Sequence, residues 1–260
     1  MPIREGRITG PLRKGMNRIN AGSTAFNTKS ILFGGTDEYI TFGTGNYDFE
    51  RTDAFSVSFW IKTTSTNDQL IGNLDSNSPY YGWEIFLRSN GTLLFTLRNT
   101  STTNEISVRS NAGVLVINDD AWYHIVVTYD GSSNGSGVTF YADGSEWGSP
   151  TIAVDTLSAT TVSPEALTIG IQDDASDAFT GNLDEVAIYD KELSSSEVSD
   201  IYNSGAPLDL TTLSSNTNLQ SWWRMGDGDT YPTITDNKGS VNGTMTNMES
   251  GDIVSDVPGG

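Results

Sequence analysis

From about residue 30 onward apolar side chains recur at every second position, and that period admits few architectures. In FSVSFWIKT, Phe55, Val57, Phe59 and Ile61 fall on one face, and Ser56, Ser58, Trp60 and Lys62 fall on the other. This is the pattern of a half-buried antiparallel strand. WEIFLRSNGTLLFTLR reads as a hairpin turning at Asn90-Gly91, and VTFYADGSEW as a strand turning at Asp143-Gly144. WYHIVVTYDG, LTIGIQ and GNLDEVAIYD continue the style. Short strands and 27 glycines in 260 residues predict an all-β chain, an antiparallel two-sheet jelly-roll sandwich. The Asn-Gly-Thr/Ser triplets at Asn90, Asn134 and Asn242 read as turns.

One helix interrupts this pattern. Ser194 and Glu197 form a capping box, Leu193 staples onto Val198, and Val198, Ile201 and Tyr202 share an apolar face. Gly205 is expected to end the helix and Pro207 to block its continuation. The result is one short amphipathic surface helix.

Charge divides the chain. Residues 1–30 carry Arg4, Arg7, Arg13, Lys14, Arg18 and Lys29 against Glu5, a balance of +5, while the remainder stands at −24. An acidic body repels a phosphate backbone, so no nucleic-acid partner is expected. Residues 1–29 read as an extended basic arm, which either contacts an anionic surface such as an acidic protein or is simply solvated. No run approaches the ~18 apolar residues of a membrane-spanning helix, and the first residues lack the apolar core of a signal peptide. The expectation is a soluble chain with no membrane partner. With no cysteine, neither a disulfide framework nor a thiolate metal site is available.

ILFGGTDEYITFG, FSVSFWIKT, WYHIVVTYDGS, VTFYADG and GNLDEVAIYDKELSSSEVSDIYNSG occur in that order, and together they resemble laminin G-like (concanavalin A-like lectin/glucanase) jelly rolls over about residues 30–205. Residues 219–248 also resemble the family, whose opening strand usually precedes the FGG motif. Either this stretch completes the sandwich by circular permutation or it begins an unfinished second repeat. Completion is physically favoured, because a lone strand bearing Trp222, Trp223 and Met225 would leave a large apolar surface and an open edge. The expected organisation is therefore an arm at 1–29, a jelly roll at 30–250 and a C-terminal tail at 251–260.

Asp184 and Glu185 are neighbours on a strand, so their side chains are expected on opposite faces, Glu185 with Tyr189 and Asp184 with Ile188. Two acids so placed cannot flank one glycosidic bond. The resemblance implies spaced acids in the family's glucanases, and that spacing is missing, so no enzyme is expected. The resemblance also places Asp184 where a structural Ca2+ ligand often lies, with Asp37 or Glu38 as a second contributor; the alternative is that Asp184 caps turn amides. His124, the sole histidine, reads as a packed strand residue. Asp227, Asp229 and Asp236 lack the spacing of an EF-hand and read as a polar turn. In SNSPYYGW, Tyr80, Tyr81 and Trp83 are candidates for a glycan-stacking platform, with packing as the competing role.

The function expected is a non-enzymatic bacteriophage virion protein, a capsid decoration or fibre component, a style in which such domains are familiar. Arg4, Arg7, Arg13, Lys14 and Arg18 would anchor it to other virion proteins, in a homo-oligomer or larger assembly. The alternative is a surface or secreted carbohydrate-binding or adhesion module, extracellular, contacting host-surface glycan.

Overall fold

A computed structural model describes residues 26–100, 103–172 and 176–259. The basic residues Arg4, Arg7, Arg13, Lys14 and Arg18 lie outside these. The chain runs through β1 (Ser30–Gly34), β2 (Tyr39–Thr44), β3 (Phe55–Lys62), β4 (Asp68–Gly72), β5 (Gly82–Leu87) and β6 (Leu93–Thr100). It continues with β7 (Asn104–Arg109), β8 (Trp122–Tyr129), β9 (Val138–Ala142), β10 (Ser145–Glu146), β11 (Thr151–Asp155) and β12 (Ala166–Ile169). Last come β13 (Thr180–Tyr189), helix α1 (Ser195–Tyr202), β14 (Leu219–Trp223), β15 (Thr233–Ile234), β16 (Gly243–Thr246) and β17 (Ile253–Val254).

These strands form two antiparallel sheets. The first is ordered β10-β9-β8-β3-β13-β1-β17, with β14 also paired to β13, and the second β11-β7-β6-β5-β4-β12-β2-β16-β15. Their facing sides share one core, in which Phe55, Trp83, Phe95, Phe140 and Trp223 are buried. The all-β sandwich with one short helix is as the alternation predicts. The turns follow their chemistry. Asp143 and Gly144, both at positive φ, join β9 to β10 in a two-residue hairpin. Between β5 and β6 the loop is longer, Arg88 to Thr92, with Gly91 at φ 71.

Strand β3 corrects the half-buried expectation. It is buried on both faces, Lys62 alone being partly exposed. Its inner residues enter the shared core. On its outer side Ser58 meets His124, and Trp60 lies beside His124 and Tyr202. A second apolar cluster, including Val126, Tyr189, Leu193, Val198, Ile201, Leu210 and Trp222, seals this outer face. Alternation cannot register a second layer laid over a strand, because small polar residues such as Ser56 and Ser58 tolerate close cover.

Helix α1 starts as expected, with Ser194 and Glu197 in a reciprocal capping box. It ends at Asn203 rather than Gly205: Asn203 takes the left-handed conformation, φ 47, and its side-chain amide donates to the Ala206 carbonyl at 2.9 Å. Asparagine tolerates that conformation because its amide bonds locally.

Residues after Pro207 belong to both sheets. β14 pairs with β13, β16 with β2, and β17 with β1. The pairing runs beyond residue 250, where a tail was expected, and Asp256 accepts from Lys62 Nζ at 2.6 Å and Trp122 Nε1 at 3.0 Å. Trp223 and Met225 are fully buried in the core, and Trp222 in the outer cluster. Burial of each such side chain contributes ~1.5–3 kcal/mol, so together they approach the ~5–15 kcal/mol stability of a whole domain. A fragment ending at Pro207 is therefore expected to give no cooperative melt by calorimetry. A sharp, reversible transition in that fragment would show that the sandwich closes without its last strands.

Candidate functional site

Strand β13 is flanked on one side by β3 throughout. Its other side is shared: β1 covers Thr180 to Leu183, and β14 covers Val186 to Tyr189. Asp184 and Glu185 fall at the seam between them. Against β3, Asp184 pairs with Trp60 and Ala187 with Ser58, so Glu185 and Val186 together oppose Phe59. This is a β-bulge, with Glu185 as the extra residue at φ 48. The bulge shifts the parity of everything after it. Ile188 points into the core and Tyr189 into the outer cluster, the reverse of simple alternation. Asp184 sits beside outward-facing Trp60, and Glu185 lines a small void with Ser58, Trp60 and His124. The expectation of opposite faces is corrected: both carboxylates lie on the outer side of the first sheet.

Neither is open to a ligand, Asp184 being 0% and Glu185 4% exposed. Asp184 accepts from Asn27 Nδ2 at 2.6 Å and from the Glu185 amide at 2.8 Å. Glu185 accepts from Trp222 Nε1 at 2.6 Å and from Arg224 Nε at 3.5 Å. Phe26 stacks on Trp222, and the Arg224 guanidinium lies 4.1 Å from the Phe26 ring centre. Burial and the neighbouring Glu185 charge raise the Asp184 carboxyl well above its usual range. Burial pushes Glu185 up to about 7, against the opposing pull of Arg224. The pair ties Asn27, near the start of the described chain, and Trp222 and Arg224, in and just after β14, to β13; it presents no acid to a substrate.

The structure does not bring Asp37 and Glu38 to Asp184. Glu38 bonds the amide of Gly34, which pairs with Thr180, four residues or about 13 Å along β13 from Asp184. Exposed Asp37 accepts from Asn247 Nδ2 at 3.1 Å. Among the described residues no three Asp, Glu or His side chains converge as metal ligands, so the three carboxylates do not fit one calcium ion. Asp227 instead accepts from the amides of Thr28 and Lys29, and Asp236 from those of Trp222 and Gly239.

The aromatic candidates separate. Trp83 is fully buried, donates from Nε1 to the Tyr47 carbonyl at 2.8 Å and packs against Phe49 and Phe55. It is a core residue and not a stacking surface. Tyr80 and Tyr81 remain half-buried in the loop before β5. His124 is buried, bonded to Ser58 through Nε2 at 2.9 Å, and pushed down to about 3 by desolvation, so it stays neutral.

Sequence reasoning missed the outer face of the second sheet. Register aligns one polar row across seven strands: Thr244, Thr41, Thr168, Gly72, Glu84, Thr96 and Ser107. Beside it, Arg98 Nε contacts Glu105 Oε2 at 2.5 Å. Gln69 donates to the Ile171 carbonyl at 2.9 Å, while its Oε1 has no partner among the described residues. At one end of the row a recess of about 190 Å3 opens between Tyr39, Thr41, Glu165, Thr168 and Gln172. The threonines were visible as isolated strand residues; only pairing register shows that they form a line.

Glu84 within this row is buried and pushed up to about 7, with Arg98 and the Thr96 hydroxyl opposing the shift. Both Glu84 and Glu185 bind a proton more tightly folded than unfolded. Their contribution to stability is therefore present near pH 4.5 and lost as pH rises towards 7. Calorimetry should show Tm falling across that window, and Glu84→Gln should flatten the fall. A Tm that rises from pH 4.5 to 7, or an unchanged slope in the variant, would contradict this assignment.

Residues 33–199 match the laminin G family model described as the concanavalin A-like lectin/glucanases superfamily. The chain is 31% identical over 122 residues to the non-toxic nonhemagglutinin of Paraclostridium bifermentans, covering 45% of this chain and 10% of that protein. It is 33% identical over 107 residues to non-toxic nonhemagglutinin type C of Clostridium botulinum C phage, covering 40% of this chain and 8% of that one. The chain thus spans a tenth or less of these relatives. A solved structure from Bacteroides ovatus ATCC 8483, of a protein described as carbohydrate binding, superposes with a TM-score of 0.61 at 17% identity, covering 89% of this chain and 61% of that one. On the matched span and the two-sheet architecture, the chain belongs to the concanavalin A-like lectin/glucanases superfamily.

Proposed function

We propose that the chain is a non-catalytic carbohydrate-binding module whose ligand lies on the outer face of the second sheet. The observation that carries this reading is the contrast between the two outer faces. One is sealed by α1 and the segment leading into β14. The other opens at a recess where Tyr39, Thr41 and Gln172 are only half-buried, while Thr168 beside them is buried and donates to the Ile171 carbonyl at 2.7 Å. A sugar presents apolar C–H faces and a rim of hydroxyls that both donate and accept, so it matches a ring such as Tyr39 flanked by Thr41 and Gln172. The absence of charge complementarity with nucleic acid and the burial of the Asp184–Glu185 pair favour binding over catalysis.

A second reading places the same module on a phage particle as a decoration or fibre element. Its support is the relative from Clostridium botulinum C phage together with an acidic body and basic N-terminal residues, which suit attachment to an acidic protein partner.

The test of the first reading is a glycan array followed by titration calorimetry on the best binder. Tyr39→Ala and Gln172→Ala should each weaken binding about tenfold, the loss of one contact of ~1.4 kcal/mol, with Tm retained. Glycan affinity untouched by both substitutions, or measurable turnover of the bound glycan, would overturn it.

A further inference from the structure

A second concavity lies at the end of the sandwich where β2 leaves the second sheet and β13 gives way to the turn before α1. Two adjoining hollows, of about 470 and 330 Å3, share Phe49 and Asp190 in their walls and form one open groove. Its combined size falls within the ~300–1,000 Å3 typical of ligand sites. Its chemistry differs from that of the polar recess. The charged residues lining it are Asp48, Asp53 and Asp190, and among the described lining residues none is Lys or Arg. Their hydrogen bonds come from neutral donors: the Asn73 amide to Asp48, the Glu50 backbone to Asp53, and the Asn218 and Gln220 amides to Asp190. Basic residues on the flanking segments are directed elsewhere, Arg51 to Ser133, Lys191 to Glu197 and Lys238 to Asn216. Half-buried Tyr47 and Phe49 supply ring surface beside the carboxylates. Unneutralised carboxylates next to aromatic faces favour a guanidinium or ammonium group.

We infer that this groove receives the chain's own N-terminal basic segment, with Arg18 entering first and Arg13 and Lys14 behind it. Three observations converge on that occupant. Residues 1–25 carry Arg4, Arg7, Arg13, Lys14 and Arg18 against Glu5, whereas the rest of the chain is strongly acidic. The segment joins the body at Phe26, which is stacked on Trp222, and Trp222 is two residues, about 7 Å, along β14 from groove-lining Gln220. Arg18 stands eight residues before Phe26, a reach of up to about 26 Å. Tethering also raises the local concentration of the segment to the millimolar range, which favours docking within one chain over docking on a second copy.

The test is limited trypsin digestion of the full chain, followed by mass spectrometry, with a free peptide of residues 1–25 as the reference for protease activity. At low salt, cleavage after Arg18 should be at least about tenfold slower in the protein than in the peptide, and that protection should fade as salt screens the groove. Asp53→Asn with Asp190→Asn, both exposed positions, should remove the protection at low salt. A full chain with Arg13, Lys14 and Arg18 changed to Glu, checked for a retained cooperative melt, should show faster amide exchange at residues 45–49 and 239–241. Equal cleavage of protein and peptide would overturn the inference. So would protection that grows with protein concentration alongside a rising mass by light scattering, which would assign the groove to a second copy. Unchanged exchange in the charge-reversed chain would likewise reject it.

Discussion

The sandwich depends on how ten residues of β13 are shared. A strand in the middle of a sheet has two edges to satisfy, and here one edge is divided between β1 and β14, which approach from opposite ends of the described chain. Where two strands meet end to end along a third, ladder hydrogen bonds lapse and water would enter. The bulge at Glu185 resolves this by turning two consecutive carboxylates to the same side, where Asn27 closes one half of the seam and Trp222 with Arg224 closes the other. Buried carboxylates without such donors would be strongly unfavourable. The acids thus make the docking of both chain ends a condition of a satisfied interior, and specificity of closure follows from that condition more than net stability does.

The parts of this architecture legible in the sequence are those set by local chemistry. Phe55, Val57, Phe59 and Ile61 alternate because a pleated strand alternates. Ser194 and Glu197 cap a helix because their side chains reach the same unsatisfied amides. Asp143-Gly144 turns because both residues accept positive φ. The parts that escaped depend on partners distant in sequence. One inserted residue at Glu185 reverses the faces of Ile188 and Tyr189, and no pattern within the strand marks it, since the bulge is a relation to Phe59. Trp83 follows a tyrosine pair in a turn-rich loop, yet the pairing of β5 with β4 and β6 turns it inward. The polar row from Thr244 to Ser107 unites strands spread over most of the chain, and it exists only once their register is known.

The two sheets are chemically unlike on their outer sides. The first carries a second apolar layer, and its polar groups, such as Ser58, His124 and Glu185, are enclosed between layers. The second keeps its outward hydroxyls, carboxylates and amides in line, with Arg98 partly balancing Glu84 and Glu105. Most of that line is itself buried, Thr96 fully and Glu84, Ser107 and Thr168 nearly so, and the face opens at the recess beside Tyr39, Thr41 and Gln172. The end groove differs again: its carboxylates accept from neutral amides, and its described lining holds no Lys or Arg.

The pairing of β1 with β17 has a mechanical consequence. Ser30 faces Val254 and Ile31 faces Ile253, so the points at which the chain enters and leaves this edge are neighbours in an antiparallel ladder. Tension drawn between them loads the pairs in succession, as a zipper opens, instead of shearing a whole strand at once. Contacts outside the ladder, Phe26 on Trp222, Asn27 to Asp184 and Lys62 to Asp256, meet the load before the long β13–β3 pairing does. A particle or cell surface that strained this domain through its two ends would meet a weak outer clasp over a stiff interior, able to yield at the edge while the sheets behind it stay joined.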